Sequence, residues 1–273
     1  MSEQVDEMPM AVTRPMTQAL TSLRRRPGAV RLVIVFCLIV LWEIAARWIL
    51  DPLFIAPPTR VIASIDDLLA MPNLPAALGI SFVELAVAFV LSILIGLPLG
   101  LMIGLSPVLK RSMMPIVFLL YGIPQVTILP LFILFLGIGP PAKIAYGVSH
   151  GFFPIVVTVA AAVQTVKPII LTSMRSMGAT RAQIFRWVIF PHILPSFFTG
   201  MRLAMTAVLI GVLLAELYVS SAGIGFFTRR FTETFNPTML FALVTLMAAM
   251  AILLNEIMRR AEAHFSRWRT LQN

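Results

Sequence analysis

Residues 167–195 read Lys167-Pro168-Ile169-Ile170-Leu171-Thr172-Ser173-Met174-Arg175-Ser176-Met177-Gly178-Ala179-Thr180-Arg181-Ala182-Gln183-Ile184-Phe185-Arg186-Trp187-Val188-Ile189-Phe190-Pro191-His192-Ile193-Leu194-Pro195. Pro168 suits the first turn of a helix, where its missing N–H is not needed. Gly178 suits the left-handed residue that ends one. Thr180 followed by Gln183 resembles a capping box that opens a second helix. Pro191 and Pro195 are expected to stop it. Ile184, Phe185, Val188 and Ile189 give the second helix an apolar face, while Arg181 and Arg186 are polar. The stretch therefore reads as two short helices around a glycine turn. One reading lays it on a membrane surface. The other makes it a docking element for a partner, its apolar face entering a groove.

Apolar runs flank this stretch on both sides, Ile144–Val166 and Phe197–Val219. Each has the roughly 20 apolar residues that a helix needs to cross a hydrocarbon core. Four more runs qualify: Arg31–Leu50, Ala76–Gly104, Met113–Leu136 and Thr238–Met258. Their continuous apolarity argues for helices, because strands of a membrane barrel alternate. Composition agrees. The 273 residues are 59% hydrophobic and 12% charged, about half the charge of a soluble domain. Soluble, disordered and disulfide-stapled classes are poor fits, and the expected fold is all-α and polytopic, with six transmembrane helices.

Lys and Arg orient these spans. Residues Arg14, Arg24–Arg26, Arg31, Lys110, Arg111, Lys167, Arg175, Arg181, Arg186, Arg202, Arg259, Arg260, Arg267 and Arg269 fall on one side. Arg60, Lys143, Arg229 and Arg230 fall on the other, and Arg47 sits within the first span. The count is 16 against 4, which assigns both termini and the 167–196 loop to the cytoplasm. The net charge of +9 is thus a matter of topology, and no nucleic-acid partner is expected. Residues 1–29 read as a solvated tail, and the first apolar run is too long and begins too late for a cleaved signal. Residues 30–75 hold the first span and a proline-rich external connection, 76–260 the remaining five spans, and 261–273 a second tail. Cys37, the one cysteine, lies in an apolar run and reads as a packed thiol that forms no intrachain disulfide.

Charges and breakers inside the spans mark candidate sites. Glu43 and Arg47 are four apart and can pair on one helical face. Glu256 can pair with Arg259 and Arg260. Glu84 and Glu216 lack such local partners. Either they are satisfied across helices by a hydroxyl, a backbone group or Arg47, or they border a translocation path near its outer gate. Gly96, Gly100 and Gly104 form a ladder that lets backbones approach, with packing inside one chain preferred to a dimer seam. Pro115, Pro124 and Pro130 interrupt the third span around Tyr121, Gly122 and Gln125. Broken helices suit a cavity lining, so the third and fifth spans are expected to line the path.

No residue set supports chemistry. There is no phosphate-binding Gly-x-x-x-x-Gly-Lys-Ser/Thr loop. His150, His192 and His264 lack metal-ligand spacing, and no serine has the flanking glycines of a nucleophile elbow. His150 reads as a packing or mouth residue, and His192 as solvated or facing a partner. No catalytic residue, cofactor site or metal site is expected.

The 167–195 stretch resembles the conserved loop of permease subunits in ATP-binding-cassette (ABC) importers. Gly178-Ala179, Phe185, Pro191, Leu194 and Pro195 carry the match, with Gly200-Met201-Arg202-Leu203-Ala204 after them. Thr172-Ser173-Met174-Arg175 stands where the family usually has Glu-Ala-Ala-Arg, so the arginine remains and the acid is absent. Phe54-Ile55-Ala56-Pro57-Pro58, the segment Gly96–Gly104, the segment Pro130–Gly139, and Glu216 followed by Gly223-Ile224-Gly225 are similar to the nitrate/sulfonate/taurine-type branch. That branch usually has an arginine early in the second span, where this chain has Glu84.

The resemblance covers about residues 53–269. It implies the type I ABC importer transmembrane fold, with residues 76–260 as the permease core in the bacterial inner membrane. It also implies a permease homodimer or a sister permease, two cytoplasmic ATPase subunits, a periplasmic solute-binding protein, and a small solute of the sulfonate, taurine or nitrate kind. The 168–190 segment would couple to the ATPase through Arg175, Gly178, Ala179, Arg181, Phe185, Arg186 and Ile189. Glu84, Tyr121, Gln125 and Glu216 are the expected path residues. A gradient-driven secondary transporter is the alternative, but such folds usually show inverted repeats and midplane ion sites. Neither is visible here. A non-transport membrane scaffold or enzyme is the remaining rival.

Overall fold

The structure, a computed structural model, describes residues 27–219 and 222–266. The expected tails fall largely outside the described residues, and so do Arg14, Arg24–Arg26, Arg267 and Arg269. Among the described residues every regular element is helical. Helix α1 spans Pro27–Trp48, α2 Pro58–Ala63, α3 Ile65–Leu69, α4 Leu74–Leu105 and α5 Pro107–Gly122. A 3-10 turn at Gln125–Ile128 leads into α6, Leu129–Leu136. Helix α7 spans Pro140–Gln164, α8 Pro168–Ser176 and α9 Arg181–Ile184. A wide π turn at Phe185–Ile189 joins α9 to α10, Phe190–Val219. Helices α11, Ile224–Glu233, and α12, Pro237–Ser266, complete the described order. Many of these starts are set by proline in the first turn, as in α2, α4, α5, α6, α7 and α8. There the ring's fixed φ helps and the absent N–H costs nothing.

Five helical stretches are long and apolar enough to cross a membrane, and the bent pair 107–122 and 125–136 makes up to six. The third span, Met113–Leu136 by hydropathy, is broken among its prolines as expected, and it begins earlier, at Pro107. Its halves meet at 85°. Pro124 forces the residue before it out of helical geometry, and Ile123 is extended at φ −67°, ψ 133°. The proline-rich connection at 51–75 contains α2 and α3.

Pro191 and Pro195 do not end the loop helix as expected. The helical path continues from Arg181 to Tyr218. In an α-helix the ring of Pro191 would meet the carbonyl four residues back. The π turn immediately before it widens the spiral, and the Phe190 N–H donates to the carbonyl of Phe185. The loop and the fifth span are thus one bent rod.

The core forms where α7 is held between α4 and α10. Leu85, Ala88, Phe89, Ile155, Val159, Ile193, Ala204, Val208 and Val212 are all buried there. A second apolar cluster joins α2, α3, α11 and α12 through Val61, Leu68, Ile224, Phe227, Phe231 and Leu243. Helix α1 lies outside both. It is tied to α12 by Trp42 against Phe241, with ring centroids 5.4 Å apart. Arg47 pairs with Glu43 as expected, and Glu43 also accepts the Thr59 N–H at 3.0 Å. Leu32, Phe36 and Leu41 face outward, and so does Cys37. The thiol is therefore not packed within the chain. Its helix presents an apolar surface of the kind that lipid or another chain covers.

The glycine ladder packs inside the chain. A Cβ added at Gly96, Gly100 or Gly104 would stand 2.9 Å from the Cβ of Ile155, Val159 or Val163 respectively. A Gly100→Val substitution is expected to cost about 1–3 kcal/mol through overpacking, lowering the unfolding midpoint in detergent. Gly79→Ala lies in the same helix with nothing within 4 Å of the added atom, and should leave that midpoint unchanged or slightly raised.

Candidate functional site

Three places concentrate the candidate residues: the loop, a buried ion cluster at the opposite end of the bundle, and the elbow of the third span. In the loop, Gly178 has φ +77°, and its N–H donates to the Arg175 carbonyl at 3.0 Å. The Ala179 N–H reaches the Met174 carbonyl at 3.0 Å. Thr180 and Gln183 make a reciprocal capping box, with the Thr180 N–H donating to Gln183 Oε1 at 2.7 Å. The turn between α8 and α9 is thus fixed by backbone bonds on one side and a cap on the other.

The loop presents Arg175, Arg181 and Arg186 to its surroundings. Phe185 is half-buried and packs on Phe190, centroids 6.1 Å apart. Ile189 packs against the main core. The exposed apolar area comes instead from Ile169, Ile170, Met177 and Trp187, the last two at 82% and 68% exposure. Sequence reasoning passed over Met177 and Trp187. The signal was present in two large apolar side chains beside the turn glycine and Arg186. Arg186 lies over the Trp187 ring at 5.7 Å, a contact that stiffens both side chains. His192, exposed as expected, meets the Thr165 hydroxyl at 2.9 Å and so links the loop's two ends. Arg202 pairs with Glu262 at 3.1 Å, tying α10 to α12. Glu256 pairs with Arg259 and Arg260 at 2.7 and 2.8 Å, as expected.

At the other end, Glu84 and Glu216 come together in the interior, at 2% and 0% exposure. The group between them is Lys143, itself 2% exposed. Its Nζ stands 2.5 Å from Glu84 Oε1 and 3.9 Å from Glu216 Oε1. The Glu84 contact is ionic rather than an aligned hydrogen bond. Glu216 has further donors. The Ser81 hydroxyl donates to its Oε1 at 2.5 Å, and the Gly225 N–H donates to its Oε2 at 3.0 Å. Ser81 in turn accepts the Ile224 N–H at 2.9 Å. The carboxylate therefore sits at the N-terminus of α11, where helix N–H groups and dipole favour a negative charge.

This packing explains the Gly223-Ile224-Gly225 run. Gly223 has φ +101°, and a Cβ there would collide with the Glu216 carboxylate. A Cβ at Gly225 would meet the Glu216 side chain and backbone. Lys143 was absent from the expected site because hydropathy places the start of the fourth span at Ile144. The helix begins at Pro140 and carries the lysine into the packing.

The elbow places Tyr121 and Gln125 against α7. Tyr121 stacks on Phe153, centroids 5.4 Å apart, and remains partly exposed. Gln125 donates to the Ser149 carbonyl at 3.2 Å. His150 packs edge-on against Tyr146 at 4.5 Å. Among the described residues no group of three or more His, Cys, Asp or Glu could hold a metal. The arrangement orders helix ends and shapes a break.

Breaking a buried ion pair by removing one partner costs about 3–5 kcal/mol. Lys143→Met should therefore lower the unfolding midpoint in detergent sharply. Adding Glu84→Leu to that variant should restore part of the loss, because Glu216 keeps its Ser81 and Gly225 donors while the orphaned Glu84 charge is gone.

Residues 96–270 match the family model of the binding-protein-dependent transport system inner membrane component. The taurine transport system permease protein of Escherichia coli strain K12 is 28% identical over 236 residues, 85% of this chain and 86% of that protein. The formylaminopyrimidine transport permease protein of Halalkalibacterium halodurans is 31% identical over 238 residues, 86% of this chain and 94% of that one. Among solved structures, the inward-facing MetNI methionine ABC transporter aligns with a TM-score of 0.63 at 20% identity, covering 70% of this chain and 95% of the matched one. A bacterial ABC transporter involved in alginate import aligns at 0.60 and 14%, covering 91% and 96%. At those identities the structural likeness shows the fold, that of type I ABC importer permeases. The chain thus belongs to the family of binding-protein-dependent transport inner membrane components, which are multi-pass permease subunits of ABC importers and not enzymes.

Proposed function

We propose that the chain is the permease through which an ATP-driven importer moves a small solute of the sulfonate, taurine or nitrate kind. The relatives are named for taurine, formylaminopyrimidine, aliphatic sulfonates and nitrate transport, which supports a small polar cargo. Two cytoplasmic ATPase subunits, an extracytoplasmic binding protein and a second permease copy complete the assembly. The positive-inside count supports a cytoplasmic side for the loop and both termini.

The observation that carries this reading is the construction of the loop. Two helices meet at Gly178 in a capped turn, exposed on its outer side and continuous with the fifth span. Ile169, Ile170, Met177 and Trp187 supply apolar docking area, with Phe185 and Ile189 behind them. Arg175, Arg181 and Arg186 pair with acidic groups of the ATPase. Closure of the ATPase dimer moves this element, and α10 carries the motion across the membrane. Tyr121 and Gln125 at the elbow line the route. Glu84 and Glu216 border its outer end, acting with Lys143 to hold the helices that gate it.

The turn requires a left-handed backbone at Gly178 and leaves open space around the position. A β-branched residue is therefore excluded by conformation rather than by room, at about 1–3 kcal/mol. Gly178→Val should leave the protein in the membrane and ATPase-bound hydrolysis running, while solute uptake in proteoliposomes is lost. Gly178→Asn, which tolerates the left-handed region, should keep most uptake. Full uptake by Gly178→Val would contradict the proposal.

A further inference from the structure

A cavity of about 500 Å³ opens at the loop end of the bundle, where α4 turns into α5. Lys110, Arg111 and Gln164 form its polar side, and Leu105, Met114 and Phe118 its apolar side. Among the described residues no acidic one lines it. Lys110 donates to Gln164, which also lines the cavity. Pro107, the first residue of α5, also lines it. The positive end of a 16-residue helix therefore borders the cavity beside the two cations. Backbone N–H groups and dipole at such an end favour anions. The Ser106 hydroxyl accepts the Leu109 N–H at 3.3 Å, and its carbonyl accepts the Lys110 N–H at 2.9 Å.

Two cations and a helix start, without a carboxylate among the lining groups, select an anion. The apolar wall selects what the anion is attached to. A free inorganic ion gains nothing from Met114 and Phe118, whereas an acyl chain does. The surface leading to the cavity is itself apolar and outward-facing, at Met102, Leu105 and Val108. We propose that this cavity binds the phosphate of an anionic phospholipid, with the acyl chain along Met114 and Phe118. Basic pockets between membrane helices recognise acidic headgroups in this way. The lining includes none of Arg175, Gly178, Arg181, Arg186, Glu84, Glu216, Tyr121 or Gln125, although Met114 and Phe118 belong to the first half of the third span.

The test uses the full chain in phosphatidylcholine nanodiscs containing a minority of phosphatidylglycerol, with native mass spectrometry of the lipid that stays bound on release. The wild type should retain phosphatidylglycerol over phosphatidylcholine by about 30-fold, as two basic contacts imply. Lys110→Gln/Arg111→Gln should lose that preference. Lys110→Arg/Arg111→Lys keeps both charges and should retain it, which separates binding from folding. Inorganic phosphate is the probe for a soluble source. Protection of the wild type against heating by phosphate, without any phosphatidylglycerol preference, would assign the same anion chemistry to a free ion and overturn the lipid. Equal lipid retention by the wild type and the glutamine variant, with no effect of phosphate, would overturn the site.

Discussion

Helix α7 can sit between α4 and α10 only because glycines let the backbones approach on both sides. Facing α4, it meets Gly96, Gly100 and Gly104 across Ile155, Val159 and Val163. Its own Gly147 would bring a Cβ to 2.6 Å from Val212 and 3.0 Å from Ala88. Gly200 and Gly211 of α10 approach Thr158 and His150 of α7 in the same manner. In lipid there is little hydrophobic drive between helices, so close packing must supply the association. The ion cluster and the elbow are placed by this three-helix stack. Lys143 meets Glu84 and Glu216 because α7 lies in register with both neighbours. The elbow finds Ser149 and Phe153 because the outer face of α7 is fixed.

On the proposed reading the stack also serves to transmit motion. Helix α10 has 30 residues, a length of about 45 Å. Its loop end is reached through the π turn from α9, and its other end carries Glu216. That carboxylate holds the start of α11. A rotation imposed on the loop therefore has a rigid route to the opposite end on the proposed reading. The route does not need a soft polar pathway, since a packed rod moves as a unit. The Arg202–Glu262 pair ties α12 to the same rod near the loop end.

Much of this was legible in the residues, and the exceptions have physical causes. The capping box and the turn glycine declared themselves, because each is a local pattern with one backbone solution. The apolar runs and the glycine ladder did so for the same reason. The continuity of loop and fifth span did not. Pro191 and Pro195 argue for a stop, and the π turn that accommodates the first of them has no sequence signature. Glu84 and Glu216 stood out as costly, but their partner did not. Lys143 lies at a span edge by hydropathy, and its pairing is set by helix register between distant segments. The exposed apolar side chains of the loop were likewise legible only in part. Phe185 and Ile189 turn inward because α9 is continuous with a core helix, which leaves Met177 and Trp187 outside. Cys37 looked packed because its run is apolar, yet that run faces outward.

The central claim is that a separate nucleotide-hydrolysing subunit grips the loop. Single cysteines at Met177 and Gln183, in a Cys37→Ala background, test it most directly through short-reach crosslinking in cells accumulating solute. The expected result is a crosslink from both positions to one ATPase subunit, with a yield that changes when ATP is trapped unhydrolysed. Crosslinking that never joins either position to an ATPase while uptake proceeds would contradict the account.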